Sequence, residues 1–509
     1  MAKQGVNLTV LDQQLGQSAP GQGQTEVVIG TCSGGTVPNF TPYTTTNPAT
    51  IQANSGVGSA PRLAAYTAQL SGNPVTVCTV PNNANGTLAT AGAGVMYTGT
   101  ANTGACVITV TGNPNDDYYL VVTPVVAGTI GTTGIQVGIS IDGGATNAYV
   151  VNMGTATTVT TGSAFTTYTG LSLSFTSATM NLGDTWYAVA TAPTYSDAAV
   201  QSALQAVASI KFQSFQDVMV AGVTAASDVT AFDGYMTTLA NTNRRFSRLL
   251  CGVRDAVWGG ASTETEAAWI TSISTAFSTT SSLRVGVCAG HYRVIDPFTQ
   301  SQMRSSLLYC ASGRDAAVLP STDLGEVDLG ALPNVVLPSA PDSFAKGKFF
   351  YHDEDQNPGL DAARFMSSWQ LVGFPGIYIM NSNLMAPPGS DFNWLQHGHV
   401  IDEASYIVYQ FFTLNLSRPV RVSAKTGFIL PQDRGRLQSG CQALLNNGLG
   451  NQTSAIIVSV SQTDNILSTA TLTVNIYVVP FGYLKSINSN LSLLNPANTQ
   501  TFAALAAAA

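Results

Sequence analysis

Charge is scarce in this chain of 509 residues: Asp, Glu, Lys and Arg make up 9 % of it, against roughly 25 % in an average soluble domain. The 20 basic and 28 acidic residues leave a net charge of −8. That balance argues against nucleic acid as a direct partner, because phosphate binding rests on clustered Lys and Arg. Long apolar runs are missing as well. None approaches the roughly 20 residues of a membrane helix, so no integral membrane protein is expected. The opening Met-Ala-Lys-Gln does not read as a secretory signal peptide. No C-x-x-C pair occurs among the seven cysteines, Cys32, Cys78, Cys106, Cys251, Cys288, Cys310 and Cys441, which speaks against a zinc site. Their wide spacing reads as buried thiols of a protein made in reducing cytosol. The odd number leaves open a thiol that pairs between subunits in an oxidising medium.

Thr, Ser, Asn and Gly stand where charge is missing, while hydrophobic residues hold at 45 %. A folded chain of roughly three domains is therefore expected. Between Arg62 and Lys211 there is no basic residue, and the acids are Asp116, Asp117, Asp142, Asp184 and Asp197. That stretch reads as β throughout: VTVCTV from Val75, ACVITV from Ala105, YYLVV from Tyr118, IQVGISI from Ile135, AYVV from Ala148, LSLSF from Leu171 and WYAVA from Trp186. Short β-branched and aromatic runs between Gly, Asn and Asp are strand-and-turn signals, and Asp142-Gly143-Gly144 marks a hairpin. An antiparallel sandwich or barrel with a Thr/Ser solvent face follows.

The texture changes at Pro193. Ser196 caps a helix with Val200, Leu204 and Val207 at helical spacing. Strand FQDVMVAG from Phe215, a helix from Ser227, strand FSRLLCGV from Phe246, a helix from Thr263 and strand LRVGVCAG from Leu283 then alternate. Such alternation means an α/β layer with a largely parallel sheet. After PSAPDSF from Pro338 come GIYIMN from Gly376, the helix IDEASYIVYQFFTLNL from Ile401, RVSAKTGFI from Arg421, a helix near Gln438–Leu445 and the strand TLTVNIYVVPF from Thr471. The expected fold class is α/β plus all-β. It divides into an N-terminal arm and linker (1–24), the start of an α/β core (25–61), an inserted β-sandwich (62–193), a middle α/β domain (194–345), a C-terminal α/β domain (346–485) and a C-terminal arm and tail (486–509).

A parallel sheet invites a nucleotide, yet neither G-x-G-x-x-G nor G-x-x-x-x-G-K-[ST] is present. GTCSGGTVP from Gly30 leads into Pro and Thr, not into the helix N-terminus a phosphate needs. His397-Gly398-His399, with Asp402 or Glu403 near, supplies half a metal site without a third ligand and reads as a surface pair. Asp353-Glu354-Asp355 beside His352 lacks EF-hand spacing and reads as a solvated loop. Cys288 and His291 have no Asn or Asp orienter in view, and no G-x-S-x-G occurs. No catalytic, cofactor-binding or metal-binding residue is expected, and the chain is not expected to be an enzyme.

Both ends carry strand-like pieces. Val6, Leu8 and Val10 alternate in VNLTVLD before the linker QQLGQSAPGQGQ; Leu491 and Leu493 alternate in NLSLLN after a Pro-Phe-Gly-Tyr turn. An isolated strand must join a sheet to be stable. Two tethered end strands suggest strand exchange between subunits.

Taken in order, these pieces resemble the contractile tail sheath proteins of bacteriophages. The likeness runs through VNLTVLD and TEVVIG, FQDVMVAGVTAASDVTAF, RRFSRLLCGVRDA, SSLLYCASGRDAAVLP from Ser305, the stretch from Ala363 to Phe412, and VNIYVVPFGYLKSI. GLSLSFTSATMNLGDTWYAVATAPTYSDAAVQSAL looks like the β insertion that some sheath sequences carry. The resemblance implies a virion protein, assembled in the host cytoplasm, without cofactor, that polymerises as a helical sleeve around the tail tube protein. Baseplate and tail terminator proteins are its further implied partners. Contraction of the sleeve would drive the tube through the host envelope to deliver the genome. Cys32, near the N-terminal arm, and Cys441, in the block expected to contact neighbours, are the first candidates for an intersubunit disulfide. A non-contractile surface-array or fibrous protein is the alternative, and a Rossmann-like enzyme with a carbohydrate-binding β module the third reading.

Overall fold

Five aliphatic runs without a polar face build the central sheet. In the computed structural model, which describes residues 25–485 except 161, 211–213, 258–263 and 338–350, together with 487 and 489, the strands lie in the order Val285–Cys288, Arg248–Gly252, Asp217–Val223, Glu26–Thr31, Val75–Val80. All neighbours are parallel, and Tyr43–Thr45 closes the Val75 edge antiparallel. Helices Ser59–Ser71 and Leu307–Asp315 pack with Val28, Val75, Val77 and Met219 on one face. Helices Asp197–Ala208, Ala226–Asn241 and Glu266–Ala276 cover Val27, Ile29, Val218 and Val220 on the other. Burial on both faces explains why these strands do not alternate. Ser196 caps its helix as expected, accepting the N–H of Ala199, and Thr265 does the same for the helix Glu266–Ala276, accepting the N–H of Ala268.

The first boundary of the β region moves. VTVCTV pairs with Glu26–Thr31 along its whole length, from Glu26 opposite Val75 to Thr31 opposite Val80. It belongs to the parallel sheet, and Arg62 lies inside the helix Ser59–Ser71. All six of its residues are buried, Thr76 and Thr79 included, as in a strand covered on both faces; the insert starts after Val80. Among its described residues it holds two main antiparallel sheets and no barrel. One runs Tyr149–Asn152, Gln136–Ser140, Tyr118–Val126, Trp186–Thr191, Thr87–Ala89, with Tyr97–Thr98 also on Trp186–Thr191; the other runs Thr158–Val159, Leu171–Phe175, Ile108–Gly112. The turn at Asp142 is held by its carboxylate, which accepts from Gly144, Ala145 and Thr146 N–H. Gly143 and Gly144 there have φ of 90° and 101°, a region open to glycine.

The last boundary moves too. GIYIMN pairs with Ser368–Leu371, and Met366 and Met385 bond to the backbone of the edge strand Val285–Cys288. The chain up to about Trp394 therefore completes the core. A separate C-terminal unit grows out of the helix Leu395–Thr413, which starts before Ile401. The next helix, Pro431–Leu449, is longer at both ends than Gln438–Leu445. A strand passed over in the sequence, Thr453–Val460, forms a two-stranded antiparallel sheet with Val474–Pro480. Among the described residues no helix is long and apolar enough to cross a membrane.

Candidate functional site: an unfinished sheet in the C-terminal unit

The C-terminal unit has its own small core of Ala404, Ile407, Cys441, Leu445, Leu449 and Val458. Its strand VNIYVVP alternates as a half-buried strand should. Val474, Ile476 and Val478 turn inward, each opposite Val460, Val458 and Ile456. Tyr477 and Val479 turn outward opposite Ile457 and Ala455. Ile457, Tyr477 and Val479 are 57, 59 and 49 % exposed, so the outer face is apolar and uncovered at its centre.

Among the described residues the sheet has two strands and stops short on one side. Thr453–Val460 rests on the helix Pro431–Leu449, where Gln442 donates to Ile456 O and accepts from Val458 N–H. Val474–Pro480 reaches over the helix Leu395–Thr413 and leaves two cavities between them. One, about 540 Å³, is lined by Phe392, Trp394, Ile401, Val478 and Pro480 among others. The other, about 530 Å³, is lined by Val408, Phe412, Leu437, Leu472, Val474 and Ile476 among others. An open strand edge above an apolar floor can accept a further strand, with backbone hydrogen bonds on one side and pockets for alternate side chains below. Past Pro480 the chain returns to the core: Tyr483 donates to Ser321 O, and Lys485 pairs with Asp323 and stands 5.3 Å over the Trp394 ring.

The opposite end of the molecule is filled. At the carboxyl ends of Glu26–Thr31 and Asp217–Val223, where an open α/β sheet takes its ligand, a cavity of about 20 Å³ remains among Ser59, Asp116, Asp117, His291, Arg304 and Tyr309. The insert supplies Asp116 and Asp117. Burial, with Asp116 beside it, pushes the Asp117 carboxyl up to about 7. Burial lowers His291 to about 4 although Asp255 is near.

The residues named from the sequence separate. Val6, Leu8, Val10, Leu491 and Leu493 lie outside the described residues. Cys32 is half-buried, and Cys441 lies wholly within the C-terminal core, its thiol pushed up by burial to about 11. Cys288 lies against Met366 Sδ at 3.8 Å, whereas His291 faces Asp255 at 3.7 Å. In the loop read as solvated, Asp355 is exposed, but His352, Asp353 and Glu354 are buried, with His352 between Glu266 at 3.0 Å and Glu354 at 2.8 Å. His397 and His399 are not a surface pair in a strand or loop. Both ride the helix Leu395–Thr413, His397 against the Trp394 ring and His399 buried beside Asp217.

A family model described as DUF2586, N-terminal domain, matches residues 4–383. The chain belongs to this family. The matched span ends shortly before the helix that begins the C-terminal unit, so the unfinished sheet lies beyond it. No curated protein matches the chain. Among solved structures it is similar to a sheath tail protein from Listeria innocua, at 11 % identity and a TM-score of 0.43, over 90 % of this chain and 96 % of that one. It is similar to a sheath tail protein from Desulfitobacterium hafniense at 11 % identity and a TM-score of 0.45, over 91 and 97 %. A chain of the anti-feeding prophage baseplate in its contracted state gives 11 % and 0.46, over 97 and 99 %.

Proposed function

We propose that this member of the DUF2586 family is the subunit of a contractile tail sheath. In this reading the chain polymerises into a helical sleeve, and each subunit's unfinished sheet is completed by end strands of its neighbours. The observation that carries it is the open edge of Val474–Pro480 above two apolar cavities, in a chain whose two ends carry strand-like sequences. The segments around Val6–Val10 and Leu491–Leu493 have the alternation such a site takes. A donated strand of about five residues gains four or five backbone hydrogen bonds, each worth roughly 0.5–1.5 kcal/mol net. Each buried apolar side chain adds roughly 1.5–3 kcal/mol. Such links do not close on themselves, and a heterologous contact that does not close generates a helix. Shortening would exchange one packing of the globular parts for another while the covalent arms hold. The tube and baseplate are the partners this reading requires, and Cys32 is the thiol it leaves for an intersubunit bond.

Negative-stain electron microscopy of the purified chain tests it. Sleeves or long tubes are expected, and removal of residues 1–12, or of everything after Ser489, should give folded subunits without sleeves. Flat arrays would favour the non-contractile alternative. Normal sleeves from both truncations would remove strand exchange.

A further inference from the structure

At the amino ends of the central strands, away from the insert, charged side chains stand in a row. Asp217 is in register with Arg248, and the Asp217 N–H donates to Glu26 Oε2 at 2.9 Å from the neighbouring strand. Two helices close over them. Asp315 is the last residue of the helix Leu307–Asp315, and His399 projects from the helix Leu395–Thr413. His399 Nε2 lies 2.6 Å from Asp217 Oδ2, and Nδ1 lies 4.0 Å from Asp315 Oδ1. One ligating atom from each of Asp217, Asp315 and His399 lies within 4.8 Å of the others. All three residues are buried, as is Glu26.

Positive charge is in short supply here. Arg248 is engaged by Asp402 at 2.7 Å and by the Gly398 carbonyl at 3.0 Å. The Asp315 carboxyl shares a hydrogen bond with that of Asp217 and meets no cation among the described residues, and Oε1 of Glu26 has no hydrogen-bond partner among them. Gln396, one helical turn before His399 and 1 % exposed, has both amide atoms unpartnered. Buried carboxylates without partners are costly. Asp315 adds a second penalty, since a helix carboxyl end already carries negative partial charge. Burial and the neighbouring carboxylates hold Glu26 and Asp315 well above the usual range, whereas His399 pulls Asp217 below it.

We infer that Asp217, Asp315 and His399, with the free oxygen of Glu26 beside them, bind a divalent transition-metal cation, with zinc as the fitting probe. One imidazole and several carboxylates in a dry, closed setting are a zinc-type donor set. The sequence pattern missed it because His397-Gly398-His399 supplies one ligand only, and the carboxylates come from distant parts of the chain. Bound there, the ion ties the helix that founds the C-terminal unit to two strands of the central sheet. The site is structural, and it stands independently of the sheath reading.

The test uses the full chain refolded with zinc chloride, freed of loose metal by gel filtration, and assayed by elemental analysis and thermal unfolding with and without EDTA. A single zinc per chain is expected, with a melting temperature that falls on chelation. Asp315→Asn and His399→Gln should each weaken zinc binding by more than about 100-fold, since even outer-shell losses cost 10–100-fold. Their melting should be indifferent to EDTA. Magnesium should not substitute, because it prefers six oxygens and keeps its waters. If both variants fail to fold, X-ray absorption on the zinc-loaded wild type decides: a nitrogen and oxygen shell supports the site, and sulfur ligands overturn it. Wild-type chain that retains no zinc and melts alike with and without EDTA would also overturn it, leaving protons shared among the carboxylates.

Discussion

The insert and the C-terminal unit both meet the central sheet through buried charge pairs, but the first shares its apolar core and the second does not. The insert has no Lys or Arg of its own and meets arginines of the core with buried acids. The Arg62 guanidinium contacts Asp116, lies 3.4 Å from Asp296, and sits over the rings of Tyr118 and Tyr168 at 5.5 and 5.3 Å. Arg293 donates to the Asp142 carbonyl at 3.2 Å. Tyr119 of the insert donates to Asp255 at 2.6 Å, and Arg304 holds the same carboxylate at 2.5 Å. One apolar cluster runs without a break from the insert strands into the helices Ser59–Ser71 and Leu307–Asp315. The C-terminal unit instead keeps a separate apolar core, and its ties to the sheet are buried pairs at the start of one helix, Asp402 with Arg248 and His399 with Asp217, together with Tyr483 and Lys485 beyond its last strand. Buried ion pairs fix one relative placement, because every other placement strands a charge. A small apolar core on one helix leaves a unit that can be completed from outside. The difference is one of cores: the insert shares the apolar core of the sheet, whereas the C-terminal unit keeps its own.

The largest effect is expected where the weld is cut. Arg62→Met should cost about 3–5 kcal/mol, because Asp116 and Asp296 stay buried without their cation. Denaturant unfolding of the purified subunit measures it. Excising residues 82–192 should yield insoluble protein, since the cut opens the shared core and bares Arg293. A soluble, cooperatively folded α/β remnant would break the comparison and make the insert an independent domain.

In the C-terminal unit, Leu445→Ala should cost about 2–5 kcal/mol, but locally. Hydrogen exchange should show protection lost across residues 431–480 and kept in Asp217–Val223. Loss of protection in both would show that the two cores unfold as one.

Much of this division was legible in the residues. Uniform aliphatic runs marked the parallel strands, and the inward and outward faces of VNIYVVP follow from alternation alone. The run VTVCTV fits either sheet, because β-branched residues suit both and its threonines mimic a half-polar face; its parallel pairing with Glu26–Thr31 assigns it to the core. Gln396, His399 and Asp402 sit on a helix whose start carries no side-chain cap at Trp394, so their shared face did not show. The partners of Arg62 could not be read at all. The basic gap after it told that charge was absent, not that Asp116 and Asp296 would come from two other segments to meet it.

Two buried histidines of the core sharpen the comparison by pH. His352, between Glu266 and Glu354, is raised above 6.5, its two acceptors outweighing burial. Its contribution is full below the unfolded pKa and fades as pH rises through the higher folded value. His291, lowered to about 4 by burial, acts in the other sense: the unfolded chain binds its proton first, so stability is lost as pH falls from about 6.5 towards 4. Stability against pH for His291→Gln should therefore lose part of the acid slope. The curve for His352→Gln should converge less with pH on the acid side and approach the wild type above neutrality. Identical curve shapes for all three proteins would show that neither ring's charge is coupled to folding.

The smallest effect on the subunit should fall on the outer face of the unfinished sheet. Ile457 and Tyr477 face each other across the two strands and are more than half exposed. Replacing both with Ser removes apolar surface that the isolated subunit hardly buries, so its stability should change by about 0.5 kcal/mol or less. The edge of Val474–Pro480 and the cavities beneath it are left as they were. If neighbours cover this face as well as the edge, sleeves should fail or dissociate on dilution although the subunit melts normally. If only the edge is used, sleeves should form as in the wild type, and assembly would then rest on backbone pairing and on the inward pockets alone. A large drop in subunit stability would contradict the exposure itself and show the face to be covered within the chain.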